Sequence, residues 1–372
     1  MRPTVTSGKQ AGHIVNQSAP VPVNLVAHFL VADGYGSLAE YAAVGMAREG
    51  ARVNIIPIKV FPEGLSPRMH DLLANSTPYE EGPVLFSAAL EPELELYART
   101  EHFVHTMWES SELPADWPRK LDRARAVIVP TRFVADVCRS SGVTVPVEVI
   151  PEGVDPELYP WTERPDREGL TTLIVGTVLP RKHVTEAIAA WQLAFDGDPD
   201  ARLIIKSRFQ TAKAHGLTVS DPRITLVDDQ EMVRGILHWY EQADVLLALG
   251  SEGFGLPLVE GMATGLPVIA LSSEGQGDIC ADAGDLLLPV SPARWEVADE
   301  PGYGRCGVRG VPDVREVARR LRWVARHRQE ATAMGVAASA WVHKHRNLWH
   351  KGPSMLDAME THMRPPRPLR AR

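Results

Sequence analysis

Cysteine is scarce in this chain. The three present among 372 residues, Cys138, Cys280 and Cys306, are far apart, which excludes a disulfide framework and the paired spacing of a zinc site. Long hydrophobic runs are also missing. The longest, residues 23–32, is interrupted by Asn24 and His28, far from the roughly 18 residues that a membrane helix requires. The N-terminus, Met-Arg-Pro-Thr-Val-Thr-Ser-Gly-Lys-Gln, has no hydrophobic signal core, so a cytoplasmic location is expected. Positive charge is in deficit: the net charge is -8, which provides no general attraction to nucleic acid or anionic lipid. The one basic cluster is the tail Arg364-Pro-Pro-Arg-Pro-Leu-Arg-Ala-Arg372, which has the character of a frayed end rather than a binding arm.

What is present fits a globular α/β protein. With 44% hydrophobic and 23% charged residues, the chain is too long for one ordinary core and suits two domains. After a polar stretch at residues 1–19, an apolar strand over 23–32 leads into the glycine turn Asp33-Gly-Tyr-Gly-Ser37, a helix carrying Leu38, Tyr41, Ala42 and Met46 on one face, and a second strand over 52–58. Apolar runs at 83–88, 102–107 and 126–129, with helices over 117–123 and 132–140, continue the alternation of a mostly parallel sheet. A Pro/Gly/Glu-rich linker follows, and a second strand, loop, helix, strand unit begins at residue 170. The expected boundaries are 1–19 as a tail, 20–160 and 161–340 as two Rossmann-like domains, and 341–372 as a C-terminal helix with its basic tail.

The most informative segment is Glu252-Gly-Phe-Gly-Leu-Pro-Leu-Val-Glu260, which places two carboxylates around a glycine turn and a helix start. Pro257 suits the first helical position and Gly265 the left-handed residue beyond the helix end. The free amides from about Phe254 to Leu258, Pro257 excepted, would then point toward Glu252, giving an anion the donors and partial positive charge of a helix N-terminus. Glu260 can accept two hydrogen bonds from a ribose diol, and Glu252 can accept from the hydroxyls of a second sugar. The segment resembles the donor-site signature of family 4 glycosyltransferases of the GT-B fold, in which the two glutamates hold ribose and donor sugar. That resemblance implies an α/β fold of two Rossmann-like domains facing each other across a cleft, a last helix crossing back to the first domain, and retention of anomeric configuration.

A second site precedes the helix that opens near Val184: Gly176-Thr-Val-Leu-Pro-Arg181-Lys182-His183. Two cations beside a positive helix end are unfavourable unless an anion lies between them, which points to phosphate. Arg181 and Lys182 would then neutralise a departing nucleoside diphosphate. The family pattern here is Gly-Arg, four residues, Lys-Gly. Lys182 matches it, Thr177 replaces the arginine, His183 replaces the glycine, and Arg181 is the candidate substitute for the missing cation.

In the first half, Gly34 and Gly36 border the cleft and allow close backbone approach. The run His105-Thr-Met-Trp108-Glu109 ends a strand at the same cleft, where His105 and Glu109 are candidates to bind donor-sugar or acceptor hydroxyls, and Trp108 or Trp117 to stack on a sugar face. Gly34-Tyr-Gly36-Ser-Leu-Ala39 also matches a dinucleotide fingerprint, but the next strand ends Ile-Ile-Pro-Ile-Lys59-Val and lacks the acid that would take a ribose. The Asp-x-Asp of Asp196-Gly-Asp198-Pro-Asp200 lies in an ordinary turn on the far side from the signature, so no metal is expected. The assignment is therefore a retaining glycosyltransferase using a nucleoside-diphosphate sugar, UDP before GDP, with no other cofactor. Its catalytic candidates are Glu252, Lys182, Arg181 and His105, and its donor-binding candidates are Glu260, residues 253–256, Gly34, Gly36 and Glu109. The acceptor is left open among small molecules, lipid-linked sugars, proteins and modified bases. The alternatives are an NAD(P)-binding oxidoreductase and a non-catalytic sugar-nucleotide binding module.

Overall fold

The computed structural model describes residues 22–29, 34–61, 64–90, 92–97, 99–165, 167–229 and 236–363. The expected N-terminal tail, the basic C-terminal tail, Asp33 and the last part of the expected first strand lie outside the described residues.

The first domain consists of β1 (Val23–Phe29), α1 (Gly34–Arg48), β2 (Val53–Val60), α2 (Pro67–Ala74), β3 (Val84–Ser87), β4 (His102–His105), α3 (Trp117–Leu121), β5 (Val127–Val129), α4 (Arg132–Ser140) and β6 (Val147–Val149). Its strands form one parallel sheet in the order β2-β1-β3-β4-β5-β6. Val84, Leu85, Phe86 and Phe103 are buried because helices cover both faces, so β3 and β4 are buried along their length rather than on alternate residues.

The second domain contains β7 (Thr171–Val175), α5 (Val184–Ala194), β8 (Arg202–Arg208), α6 (Thr211–Ala214), β9 (Ile224–Asp229), α7 (Leu237–Glu241), β10 (Val245–Ala248), α8 (Leu256–Ala263), β11 (Val268–Leu271), α9 (Glu274–Ala283) and β12 (Leu288–Val290). Its parallel order, β12-β11-β10-β7-β8-β9, reverses direction between β7 and β10. In such sheets, ligands bind beyond the carboxyl ends of the strands at that switch point. The loops following β7 and β10 are the ones that carry Arg181, Lys182 and Glu252.

An antiparallel hairpin not anticipated from the sequence follows, β13 (Pro292–Glu300) and β14 (Gly304–Pro312), then α10 (Val314–Arg326), α11 (Arg328–His345) and α12 (Lys351–His362). The hairpin reaches the first domain. Ser110 Oγ donates to Cys306 O at 2.7 Å, Val308 N donates to Ser111 Oγ at 2.9 Å, and Tyr303 meets Trp108 and Trp117 edge to face at 5.5 and 5.9 Å. Trp108 and Trp117 are consequently 6% and 1% exposed, so they pack the domain junction and do not offer the sugar-stacking faces expected of them.

The chain crosses back to the first domain at α12, later than residue 341, because Ala338 and Val342 of α11 still belong to the second domain's core. α12 lies on α1 with backbones in contact: a Cβ on Gly352 would sit 2.3 Å from the carbonyl carbon of Gly45. At its start, Lys351 donates to Glu152 Oε2, while Glu152 Oε1 lies 2.9 Å from His105 Nε2 and His105 Nδ1 lies 2.8 Å from Ser87 Oγ. His105, expected at the cleft, is instead 1% exposed inside this cluster. Burial, followed by the charge of Lys351, lowers its pKa. The neutral ring then donates from Nε2 to Glu152 and accepts the Ser87 hydroxyl at Nδ1. Replacing Lys351 with Met would leave the Glu152 carboxylate buried without a counter-charge, an arrangement that costs about 3–5 kcal/mol. A urea titration of Lys351→Met is expected to show that loss, and an unchanged midpoint would mean that the pair does not anchor α12.

Candidate active site

A cavity of about 460 Å³ separates the two domains. The first domain lines it with Gly34, Tyr35, Gly36, Ser37, Met107 and Glu109, and the second with residues from the ends of β7, β8 and the β10–α8 loop. The two glycines begin α1 rather than forming a free loop before it, and Tyr35 Oη donates to Met107 O at 3.3 Å.

The signature helix α8 starts after Gly255, so Leu256 is its first residue and Pro257 its second, one position later than expected. Pro257 costs nothing there either, since the second amide of a helix also lacks an intrahelical acceptor. Gly265, at φ 85°, closes the helix as expected. Its amide donates to Met262 O and that of Leu266 to Gly261 O, both orphan carbonyls of the last turn. Phe254, Gly255, Leu256, Pro257 and Glu260 all line the cavity, whereas Gly253 does not. The carbonyl of Gly253 accepts from Thr131 Oγ1 at 2.9 Å, so that residue is part of the domain contact.

Glu252 stands between the two cations. Its Oε2 accepts from Arg181 Nη1 at 2.9 Å and its Oε1 from Lys182 Nζ, while Arg181 Nη2 lies 3.4 Å from Glu109 Oε1 across the cleft. Burial opposes ionisation of Glu252, but Lys182 and Arg181 outweigh it and hold the carboxyl below the usual glutamate range. Burial likewise opposes the charge on Arg181, and Glu109 and Glu252 more than restore it. Lys182 differs: burial dominates and lowers its pKa despite Glu252. Thr177, where the family has arginine, lines the cavity. His183, where the family has glycine, takes the left-handed backbone such a position favours, at φ 51° and ψ 36°. Its ring is buried, with Nε2 3.5 Å from Ser251 Oγ.

Glu260 is held from behind. Tyr240 Oη donates to Glu260 Oε2 at 2.6 Å, and the Tyr159 hydroxyl bonds the same carboxyl. The two rings meet edge to face at 5.8 Å. Burial raises the Glu260 pKa, and the two phenols and the charge of Arg208 offset part of that rise. The sequence reading missed both tyrosines because they lie in the linker and on α7, far from the signature. It also missed Lys206 and Arg208, which line the cavity at the end of β8. The cue for these two was Lys206-Ser-Arg208, polar residues at the carboxyl end of an otherwise apolar strand. The Asp-x-Asp turn lies at the opposite end of β8, where Asp200 N donates to Asp198 Oδ1. Among the described residues, no three His, Cys, Asp or Glu side chains gather as metal ligands, and no helix is long and apolar enough to cross a membrane.

Residues 169–298, which contain β7 through most of the hairpin's first strand, match the family model of glycosyl transferases group 1. The second domain is similar to that family over these residues. The chain is 28% identical over 212 residues to D-inositol 3-phosphate glycosyltransferase of Frankia alni, a match spanning 48% of this chain and 51% of that protein. It is 29% identical over 200 residues to GDP-mannose:cellobiosyl-diphosphopolyprenol alpha-mannosyltransferase of Xanthomonas oryzae pv. oryzae, spanning again 48% and 51%. The chain thus spans about half the length of the curated relatives it matches. The fold extends further: HepE of Anabaena, crystallised with UDP and glucose, superimposes with a TM-score of 0.64 at 14% identity, covering 92% of this chain and all of that one. Two parallel α/β domains around a cleft give the chain the GT-B fold.

Glu252 and Glu152 both titrate below their ordinary value of 4.5 when folded, although burial opposes it, because of Lys182 and Arg181 for the first and Lys351 and His105 for the second. Each therefore adds stability that is fully present above the unfolded pKa and lost as pH falls through the lowered folded value. Glu252→Gln is expected to be less stable than the parent at neutral pH, with the gap closing under acid. Urea midpoints measured from about pH 7 down to about pH 3 test this, and a gap independent of pH would refute it.

Proposed function

We propose that the protein is a retaining glycosyltransferase that moves a sugar from a nucleoside diphosphate, UDP before GDP, to a hydroxyl-bearing acceptor. The observation that carries this reading is the convergence on one interdomain cavity of Glu260, the α8 N-terminus, and the Arg181–Glu252–Lys182 cluster. In it, Glu260 takes the ribose diol, the amides at the start of α8 receive the diphosphate, and Arg181 and Lys182 neutralise the charge that grows as it leaves. Glu252 orients the transferred sugar. Glu109 and the start of α1 form the acceptor side. The acceptor oxygen bonds to the anomeric carbon on the face from which the phosphate oxygen departs, and the acceptor proton passes to that phosphate oxygen. Enclosure between two domains excludes competing water.

The UDP preference has a coarse basis, the UDP bound by HepE, while one curated relative is named for GDP-mannose. Calorimetry with UDP, GDP and NAD decides the base. Binding of one nucleoside diphosphate, weakened at least tenfold by Glu260→Ala and by Lys182→Ala, is the expected outcome, and binding of NAD alone would defeat the proposal. Because Glu260 must be ionised to accept two hydroxyls and its pKa is raised by burial, affinity is expected to grow as pH rises through that raised value. Tyr240→Phe removes a donor to the carboxylate and should shift this pH dependence upward while weakening binding at neutral pH about three- to tenfold. An unaltered pH profile would show that Tyr240 does not tune Glu260.

A further inference from the structure

The turn leaving β8 is held in a conformation that its residues disfavour. Phe209 and Gln210 both have left-handed backbones, at φ 57° and 52°, before α6 begins. For L side chains this region brings Cβ against the backbone, and a bulky residue there is strained, whereas glycine is not. Core burial does not compensate. Phe209 is 42% exposed and lines the interdomain cavity, while Phe254 and Tyr159, the other aromatic residues that the second domain and linker contribute to its described lining, are 2% and 5% exposed. The Arg208 guanidinium lies 5.1 Å from the Phe209 ring centre, and Arg208 is also near enough to Glu260 for its charge to favour that carboxylate.

These positions follow the outline of a nucleotide. A ribose bound at Glu260 carries its base on the adjacent carbon, and the neighbouring wall of the cavity offers a flat ring with a planar cation over one face. A strained aromatic residue kept at a cavity wall is where stability is given up for recognition. We propose that Phe209, flanked by Arg208, is the platform on which the nucleobase of the donor stacks. This rests on the donor reading of the same cavity. Stacking on an aromatic face accepts either base type, so Phe209 contributes affinity, and discrimination between UDP and GDP falls to other groups.

Calorimetric titration of UDP and GDP into the parent protein, Phe209→Gly, Phe209→Leu and Phe209→Tyr tests the assignment. Glycine removes the ring and accepts the backbone without strain, leucine keeps apolar bulk but no plane, and tyrosine keeps the plane. Loss of about tenfold in affinity for the Gly and Leu variants, with Tyr within about twofold of the parent, is the expected result. The thermal midpoint of Phe209→Gly should not fall, which separates lost stacking from lost folding. Parent-like affinity in Phe209→Leu or in Phe209→Gly, or a loss in Phe209→Tyr equal to that in Leu, overturns the platform. If Glu260→Ala binds as the parent does, the donor reading itself fails, and that result is independent of Phe209.

Discussion

Arg181 and Lys182 sit ahead of the positive end of α5, where each repels the other and the helix repels both. The carboxylate of Glu252 makes that arrangement stable, and Glu109 adds a second negative charge from the opposite domain. The loops after β7 and β10 are fixed to each other by the same contact: Ser251 N donates to Arg181 O at 2.8 Å, and Arg181 Nη1 reaches both Ser251 O and Glu252. The start of α8, and with it Glu260, is placed by this junction at the switch point of the second sheet. Charges left in proximity at low dielectric also make a responsive site. Under the proposed function, an incoming diphosphate would compete with Glu252 for the same cations, and its binding would free a carboxylate to meet sugar hydroxyls.

The cleft has its width because several independent contacts hold the domains together around it. The hairpin β13–β14 grips the first domain through Ser110, Ser111 and the Tyr303–Trp108–Trp117 group. At a second point, Phe133 N donates to Asp278 Oδ2 at 3.0 Å and Arg132 pairs with Asp282 at 2.9 Å, beside the Thr131 to Gly253 bond. Behind the cavity, α12 is anchored through Lys351, Glu152 and His105. The Arg132 and Phe133 contacts are exposed or part-buried, whereas the Thr131 to Gly253 bond and the α12 anchor are buried.

The sequence made much of the second domain legible. Strand and helix periodicity located β7, α5, β8, β10, α8 and β11, since each is short and regular. Glu252 and Glu260 stand out around one helix start and Lys182 before another, and all three line one cavity. Legibility was poorer where long-range contacts decide the outcome. The hairpin's strands carry exposed Trp295 and Val297 and a dense run of charges, a pattern without clean alternation. His105 carried the right residue type at a strand end, yet it is enclosed because α12, arriving from 246 residues later, covers it.

The sequence by itself determined the two-domain α/β class, the helix α8 and the pair of cations before α5, because these depend on local patterning and on residues close together in the chain. Tertiary structure alone decided which side chains face one another. Tyr159 and Tyr240 support Glu260, Glu109 answers Arg181 from the other domain, Phe209 faces the cavity while Trp108 and Trp117 turn from it, and His105 becomes an anchor for α12. Burial and electrostatic pairing depend on distance in space, and the distances that matter here are set by how two sheets, a hairpin and a returning helix pack together.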